Sequence, residues 1–460
     1  MLIIRGGFNM QKRSSFSGKL GFVLAAAGSA VGLGNIWRFP YLAAKYGGGT
    51  FLFIYLILAV TFGFTLMTAE IAIGRKTGLS AIGAFTILDK RFKFLGILAS
   101  AVPIIIFPYY SVIGGWVVKY FFVFVTGSGH AAAGDSYFTD FIGGTFEPIG
   151  WFFLFIAVTA VIVGFGVEQG IEKVSKFMMP ILVLLTLFVA LYGLTIDGAM
   201  DGLSYYLKPH MADVSAKTIL AAMGQLFYSM SLAMGIMITY GSYMKKEDHL
   251  ESSVRQIEIF DTGVAFLAGL MIIPAVFVFS GGDSSALQAG PGLMFITLPK
   301  VFGNMKFGNV VGTVFFLLVF FAALTSAISL METIVSILRD KLGWTRKGTC
   351  VFVTILALVM GVPSSLGFGP LSFISWMGMS VLDIMDFVSN SVLMPIVAFF
   401  TCIFIGFVIK PSTIADEVKV TDGTFKGEKL FAVMIKWIAP IFLVLILLSS
   451  VASALGIFTL

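Results

Sequence analysis

Long apolar stretches, each bounded by charged or turn-forming residues, are the feature that most limits what this chain can fold into. Eleven of them are long enough to cross a bilayer as a helix of roughly 20 residues. Only 12% of the 460 residues are charged and 58% are hydrophobic, whereas about a quarter of a soluble globular chain is charged. We therefore expect an all-α membrane protein with eleven transmembrane helices. The predicted helices 1 to 11 span residues 19–44, 49–75, 92–126, 149–166, 174–194, 216–243, 253–280, 307–338, 348–365, 376–408 and 430–457.

The basic residues predict the orientation of the chain in the membrane. With a cytoplasmic N-terminus, 23 of the 30 Lys and Arg residues fall in or beside cytoplasmic segments, in agreement with the positive-inside rule. Eleven helices then put the C-terminus outside, in a multi-pass protein of the cell (plasma, inner) membrane. The N-terminal residues lack the apolar core and cleavage site of a signal peptide. Topology explains the net charge of +6, so we expect no nucleic-acid partner, and the lipid bilayer is the expected surrounding.

The residue types that carry most enzyme and metal chemistry are poorly placed in this chain. Both cysteines, Cys350 and Cys402, fall in or beside apolar helices, and the three histidines lie in polar connections. The sequence thus indicates no disulfide framework, no histidine metal site and no catalytic residue, because a nucleophile with a neighbouring base is lacking. We expect a protein that is not an enzyme.

Turn-forming residues interrupt two of the predicted helices. Helix 1 contains GSAVGLGN (28–35), with three glycines, and helix 6 contains YSMSLAMG (228–235). A repeat of five helices must invert in the membrane, so helices 1–5 and 6–10 form an inverted pair and helix 11 is extra. The halves are about 13–195 and 216–408 of a single domain, 1–460. Paired breaks in inverted halves indicate a substrate site near the midplane, although glycines also simply let helices pack closely.

The run AGSAVGLGNIWRFPYLAAKYGGGTFLFIYL (27–56) resembles the first-helix signature of the neurotransmitter:sodium symporter family, in particular its bacterial amino-acid transporters. GQLFYSMSLAMGIMITYGSY (224–243) and FFAALTSAISLMETIVSILRD (320–340) extend the resemblance. It implies the leucine-transporter fold with broken helices 1 and 6. It also implies sodium-coupled import of an L-amino acid by alternating access, with helices 1, 2, 6 and 7 rocking against helices 3, 4, 8 and 9. A sodium or anion channel on the same fold remains the alternative.

The resemblance further implies two bound sodium ions. One site would use the backbone carbonyls of Gly28, Val31 and Ala322 with the hydroxyls of Thr325 and Ser326, although these hydroxyls could instead only bond back to their own helix. The other site would use the substrate carboxylate and the residues Ala30, Asn35, Ser229 and Asp261. Chloride-dependent members carry a neutral residue at the position of Asp261. Its carboxylate therefore predicts chloride-independent transport.

The resemblance also assigns the substrate pocket. The amides of Leu33 and Gly34 with the Tyr110 hydroxyl would bind a carboxylate, and carbonyls of the broken helices would bind the amine. Members that carry monoamines have an aspartate at the position of Gly32, so large apolar or aromatic L-amino acids are the predicted substrates. Ile106 and Met234 could instead be plain core residues. The implied pocket residues are Ala30, Leu33, Gly34, Ile106, Tyr110, Tyr228, Ser229, Ser231, Met234, Ser326, Ser329 and Leu330.

Two charge pairs are the implied gates. Arg38 and Asp386 would close the outer vestibule, helped by Gln225, Tyr110 and Tyr228. Arg13 and Asp340 would close the inner mouth, with Tyr243 and Ser242 nearby; both charges could also be ordinary interfacial residues. Phe16 replaces a tryptophan common in relatives, and Glu70 would support the unwound backbone of helices 1 and 6. Proton export on the return step and the oligomeric state stay open.

Overall fold

Helices form almost all of the computed structural model, which describes residues 3–5, 8–10, 14–281 and 290–456. A short antiparallel pair of strands, Ile3–Arg5 and Phe8–Met10, precedes the first helix. The main helices are 1a (Lys19–Ala30), 1b (Gly34–Lys45), 2 (Gly49–Thr77), 3 (Lys90–Val125), 4 (Phe146–Gly164), 5 (Val167–Gly193), 6a (Ala216–Ser229), 6b (Ile236–Gly241), 7 (Leu250–Phe279), 8 (Gly308–Leu342), 9 (Arg346–Leu366), 10 (Val381–Ile409) and 11 (Glu428–Ala454).

Short helices occupy several connections between these long ones. Their bounds are Ala81–Leu88, Gly129–Ala132, Tyr137–Gly143, Ala199–Leu207, Met211–Asp213, Leu293–Gly303 and Pro411–Asp422. π-Helical stretches interrupt several of the long helices, among them Val167–Glu172 in helix 5 and Phe387–Leu393 in helix 10.

The all-α membrane architecture predicted from the apolar stretches is confirmed. Within the described residues, nine continuous helices are long and apolar enough to cross a membrane, and helices 1a and 1b, bent by 55°, make a tenth crossing. Helices 6a and 6b are each too short to cross alone, because the break predicted in helix 6 is present. The eleventh crossing stays a prediction.

The helices pack into two groups, and the broken helices 1 and 6 belong to the first. Helices 1, 2, 6 and 7 contact one another, helices 3, 4, 8 and 9 form a second group, and helix 5 lies against helices 1a, 7 and 8. Glycines allow close approach in the second group: a Cβ on Gly115 of helix 3 would lie 2.6 Å from the amide nitrogen of Phe152 in helix 4. Small residues at crossings are how membrane helices gain packing contacts.

Apolar side chains cover the outside of the bundle as well as its interior. Helices 4, 5 and 9 expose Phe153, Leu184 and Val359. Such a surface is unfavourable in water and suits contact with lipid. The helix breaks, in contrast, lie in the middle of the bundle, where they can line a polar site.

Candidate functional site

The break in helix 1 depends on glycines. Helix 1a ends at Ala30, and Val31 follows in an extended conformation (φ −69°, ψ 103°). A Cβ on Gly32 would lie 2.9 Å from Ser326 Oγ, and one on Gly34 would lie 2.7 Å from a ring carbon of Tyr228. Helices 8 and 6a can therefore approach the exposed backbone of helix 1 only because these positions lack side chains.

The break in helix 6 contains left-handed backbone. Ser231, Ala233 and Gly235 have φ values of 53°, 60° and 72°, which are unfavourable for residues with a Cβ unless the surroundings hold them. Glu70 Oε1 accepts the Ala233 N–H at 2.7 Å, and Ser231 Oγ donates to the Ser29 carbonyl at 2.8 Å. Glu70 thus supports the unwound backbone of helix 6, as the resemblance implied.

Asp261 lies at the centre of a buried polar cluster between the breaks. Its Oδ1 accepts hydrogen bonds from Asn35 Nδ2 at 2.8 Å and from Ser229 Oγ at 2.9 Å. Asn35 Oδ1 in turn accepts the Gly32 N–H at 3.0 Å. Asp261 is completely buried, and the neighbours that hydrogen-bond it here are neutral. A carboxylate in such a place is costly unless it is paired or binds a cation.

Ser326 on helix 8 joins the end of helix 1a. Its Oγ lies 3.4, 3.1 and 3.2 Å from the carbonyl oxygens of Gly28, Ser29 and Val31. Thr325 Oγ1 donates back to its own helix, 2.9 Å from the Phe321 carbonyl and 3.2 Å from the Ala322 carbonyl, and a Cβ on Gly28 would lie 3.2 Å from Thr325 Cβ. The structure therefore brings together the five residues of the first predicted ion site. The Ser29 carbonyl, which the sequence reasoning missed, belongs to the same cluster.

A cavity of about 50 Å³ lies between the two helix breaks. Eleven of the twelve predicted pocket residues line it, and Ser329 does not. Ser329 instead accepts a hydrogen bond from the Tyr240 hydroxyl at 2.9 Å, because its position on helix 8 faces helix 6b. Sequence reasoning missed Ser29, Ile236 and Asn390 as lining residues, and it named Asn35 only as an ion ligand and Gly32 only as a position that sets the substrate class.

A larger cavity of about 410 Å³ opens above this pocket, between helices 1b, 3, 6a and 10, and shares Tyr110, Tyr228 and Asn390 with it. Arg38 and Asp386 both line this vestibule. In the described chain they form no ion pair within 4.0 Å, because Arg38 lies over the Tyr228 ring, 4.9 Å from its centroid. The two residues of the implied outer gate, Arg38 and Asp386, are thus separated in this structure. Both side chains line the open vestibule.

Two further residues of the implied outer gate have identifiable surroundings. Gln225 Nε2 donates to the Gly34 carbonyl at 2.9 Å and so fastens helix 6a to helix 1b. The Tyr110 hydroxyl is buried and has no hydrogen-bond partner among the residues that the structure describes. A buried hydroxyl without a partner is unusual, and this one lines the pocket, where a ligand can bind it.

The inner side is closed by packing. Phe16 is completely buried against Tyr240 and Tyr243, and its N–H donates to the Tyr243 carbonyl at 3.2 Å. Asp340 Oδ2 accepts from the backbone N–H of Ser80 at 2.9 Å and from its hydroxyl at 2.6 Å. Arg13 lies outside the described residues. The side of the bundle that the positive-inside rule assigns to the exterior thus contains an open cavity, whereas the opposite side is closed by packing.

Sequence reasoning missed a buried ion pair on the inner side. Glu332 of helix 8 hydrogen-bonds Arg346 of helix 9 and accepts the Tyr243 hydroxyl at 2.7 Å. Arg346 Nε donates to the Val163 carbonyl of helix 4 at 2.8 Å. An acid in the middle of the apolar helix 8 was the signal in the sequence. Its partner lies 14 residues away, beyond a turn.

Comparison with known proteins identifies the family. The model of the Sodium:neurotransmitter symporter family matches residues 13–140 and 146–457. The chain belongs to this family. An uncharacterized sodium-dependent transporter of Bacillus subtilis, YhdH, is 36% identical over 454 residues, covering 95% of this chain and 98% of the relative. One from Haemophilus influenzae is 31% identical over 459 residues, covering 96% and 99%.

A solved structure places this symporter-family chain in a known fold. The crystal structure of MhsT in complex with L-phenylalanine matches with a TM-score of 0.85 and 38% identity, covering 95% of this chain and all of that one. The expectation of a leucine-transporter fold is confirmed. The family is one of transporters rather than enzymes, and the chain is a multi-pass membrane protein for sodium-coupled symport.

Proposed function

We propose that this symporter imports large apolar or aromatic L-amino acids with two sodium ions, independently of chloride, by alternating access. The observation that carries the proposal is the pocket at the two helix breaks. Its walls contain Ile106, Met234 and Leu330, and no Asp, Glu, Lys or Arg is among its described lining residues. A charged substrate side chain would lose its hydration there without gaining a partner.

Both ends of a zwitterionic amino acid have suitable partners in the pocket. The first amides of helix 1b, at Leu33 and Gly34, have no carbonyl of their own helix to bind and lie at its positive end. They are suited to a carboxylate, together with the unpartnered Tyr110 hydroxyl. The carbonyl-rich ends of helices 1a and 6a, near Ala30 and Ser229, suit an ammonium group. The crystal structure of MhsT with L-phenylalanine is consistent with such a substrate.

Two oxygen clusters suit sodium, a hard cation that binds carbonyl, hydroxyl and carboxylate ligands. The first contains Ser326 Oγ beside the Gly28 and Val31 carbonyls, and the second contains Asn35, Ser229 and Asp261. Ala30 lines the substrate pocket next to the second cluster. A substrate carboxylate that also binds this ion would make sodium and substrate binding mutually dependent.

The buried carboxylate of Asp261 supports chloride independence. Two sodium ions and a zwitterion bring a net charge of about +2 into a site that excludes water, and uncompensated charge there costs several kcal/mol. A fixed carboxylate supplies part of the compensation, so no added anion is needed.

We infer that the protein lies in the plasma membrane with its N-terminus in the cytoplasm and its C-terminus outside, because this orientation keeps most basic residues inside.

Uptake into proteoliposomes with an imposed inward sodium gradient tests the proposal. Radiolabelled leucine, phenylalanine, tryptophan and methionine should be taken up saturably, and replacing sodium by potassium should abolish uptake. Lysine, glutamate or dopamine as better competitors than these amino acids would contradict the pocket assignment. Flux that does not saturate would favour the channel alternative.

Replacing chloride by gluconate tests the role of Asp261. Wild-type uptake should not change, whereas Asp261→Asn should lose uptake or require added chloride. Glu258→Gln, one turn earlier on helix 7, is the matched control and should keep chloride-independent uptake. Wild-type uptake that collapses in gluconate would refute the charge argument.

A further inference from the structure

Three residues above the substrate pocket form a hydrogen-bonded group that neither the sequence motifs nor the ion sites explain. Tyr109 Oη donates to Asp386 Oδ1 at 3.0 Å, and Asn390 Nδ2 donates to the same oxygen at 2.5 Å. Asn390 Nδ2 also lies 2.9 Å from Tyr109 Oη. We call Tyr109, Asp386 and Asn390 the Asp386 clasp.

In the clasp, Tyr109 and Asn390 donate hydrogen bonds to the Asp386 carboxylate, which is the group that Arg38 would bind to close the vestibule. Arg38 and Asp386 line the same cavity, yet Arg38 lies over the Tyr228 ring while Asp386 is bound by neutral donors on helices 3 and 10. Hydrogen bonds to a charged group are stronger than neutral ones. Both clasp donors bind Oδ1 of Asp386, so a guanidinium group that binds both carboxylate oxygens would have to displace them.

Local structure fixes the geometry of the clasp. Asp386 and Asn390 are four residues apart on helix 10 and so share one face. The π-helical stretch Phe387–Leu393 contains Asn390, and such local widenings often occur at functional sites. Tyr109 is almost completely buried on helix 3. The clasp thus joins helix 10 to the group of helices 3, 4, 8 and 9.

Asn390 lies where the two cavities meet, and its side-chain oxygen has no hydrogen-bond partner in the described chain. Its side chain lines both the vestibule and the substrate pocket. Its Oδ1 is buried and has no hydrogen-bond partner in the part of the chain that the structure describes. Within the described residues this amide is therefore bonded only through Nδ2, which donates to Asp386 and Tyr109.

We propose that Tyr109 and Asn390 are positioning residues that compete with Arg38 for Asp386 and thereby hold the outer gate open. This inference rests on the proposed alternating-access function and adds the element that biases its outward-facing state. On closure, Arg38 leaves the Tyr228 ring and binds both carboxylate oxygens of Asp386, which displaces Tyr109 and Asn390 from Oδ1. A contact made in one state and lost in the other shifts the balance between the two.

A cysteine introduced at position 224 can report how open the vestibule is. Gly224 lines this cavity, and a Cβ there would meet nothing within 4 Å, so Gly224→Cys should not disturb packing. The native Cys350 and Cys402 are buried and should react slowly. The measurement is the rate at which a membrane-impermeant methanethiosulfonate reagent modifies the introduced thiol, in full-length protein in sodium without substrate.

Removing clasp hydrogen bonds should close the gate. In the Gly224→Cys background, Asn390→Leu and Tyr109→Phe should each lower the modification rate about tenfold or more, the effect expected for a lost hydrogen bond to a charged group. Adding Arg38→Gln to either variant should restore the rate, because Asp386 then has no cation to bind. Ser391→Ala, in the same cavity lining, is the control and should leave the rate unchanged.

Two results would overturn the inference. One is an unchanged modification rate in both Asn390→Leu and Tyr109→Phe; the other is a decrease that Arg38→Gln does not relieve, since this would indicate a packing effect. Tyr109→Phe removes a single oxygen and keeps the inference testable if Asn390→Leu folds poorly. Because no substrate is added, failure of the uptake screen and failure of the clasp are separate outcomes.

Discussion

Gly32 shows how strongly the candidate pocket depends on a single position. A Cβ there would lie 2.9 Å from Ser326 Oγ, in a proposed ion site, and 3.3 Å from the Tyr110 hydroxyl, in the proposed substrate pocket. The methyl group of Gly32→Ala must therefore displace both. Overpacking of this kind typically costs about 1–3 kcal/mol.

We expect Gly32→Ala to weaken substrate and sodium binding together, by about tenfold for each 1.4 kcal/mol of strain. Equilibrium binding of radiolabelled leucine as a function of sodium concentration measures both effects. Gly224→Ala, at a helical glycine with free space around it, is the control and should bind as the wild type does. Equal affinities in the two variants would show that Ser326 and Tyr110 move aside without consequence.

At this scale, the motif resemblance named residues that the structure brings together around one cavity, while their roles in binding stay predictions. Eleven of the implied pocket residues do line the cavity: seven lie in the runs around the two breaks, and the other four lie on helices 3 and 8. Ser329 does not line the cavity, because on helix 8 its side chain faces Tyr240 of helix 6b. Asn390 and Tyr109 were not found, because their significance lies in contacts between helices far apart in sequence.

Among the elements, the broken helix 6 depends most on support from elsewhere. Its two left-handed non-glycine residues, Ser231 and Ala233, are unfavourable alone, and Glu70 on helix 2 binds the Ala233 N–H. Removing the acceptor leaves a buried N–H unsatisfied, which costs about 1–3 kcal/mol. Glu70→Ala should therefore lower the thermal stability of the detergent-solubilised protein.

Glu70→Gln is the matched control, because its amide oxygen can still accept the Ala233 N–H. It should keep most of the stability that Glu70→Ala loses, as judged by thermal unfolding followed by tryptophan fluorescence. If both variants lost the same stability, the carboxylate charge rather than the hydrogen bond would be the supporting feature.

The apolar stretches predicted the long helices closely because the bilayer fixes their length and polarity. The break in helix 1 was predictable from its glycines and Pro40, and the break in helix 6 from two serines and a glycine in the middle of an apolar stretch. The π-helical stretches were not, because they arise from packing between helices, and no residue type marks them. Within the described chain, helix length and apolar composition give at most ten crossings rather than the eleven predicted. Helix 6 is not counted, because its break leaves two segments that are each too short to cross.

On the inner side of the molecule, the Glu332–Arg346 ion pair connects several helices. These residues join helices 8 and 9, Arg346 also binds the Val163 carbonyl of helix 4, and Tyr243 binds Glu332. Glu332 is completely shielded, and only 14% of the Arg346 side chain is exposed. Removing one member of a buried pair typically costs about 3–5 kcal/mol, because the other charge is left unpaired.

Arg346→Gln should therefore destabilise the protein strongly, and the double variant Glu332→Gln/Arg346→Gln should recover part of the loss. Lys300→Gln, which breaks the exposed ion pair with Asp135, should change stability by no more than about 1 kcal/mol. Thermal unfolding of the three variants measures the difference. A double variant less stable than Arg346→Gln alone would show that unpaired charge is not the cause.

The π-helical stretches have a consequence for how this chain should be aligned with its relatives. A π turn holds one more residue than an α turn, so deleting one residue within Phe387–Leu393 or Val167–Glu172 could restore regular α-helix without rotating the ends of the span. Relatives can thus differ by a single insertion in the middle of a transmembrane helix. For a relative that lacks the extra residue, an alignment that forbids gaps inside helices 5 and 10 would shift every later position by one residue.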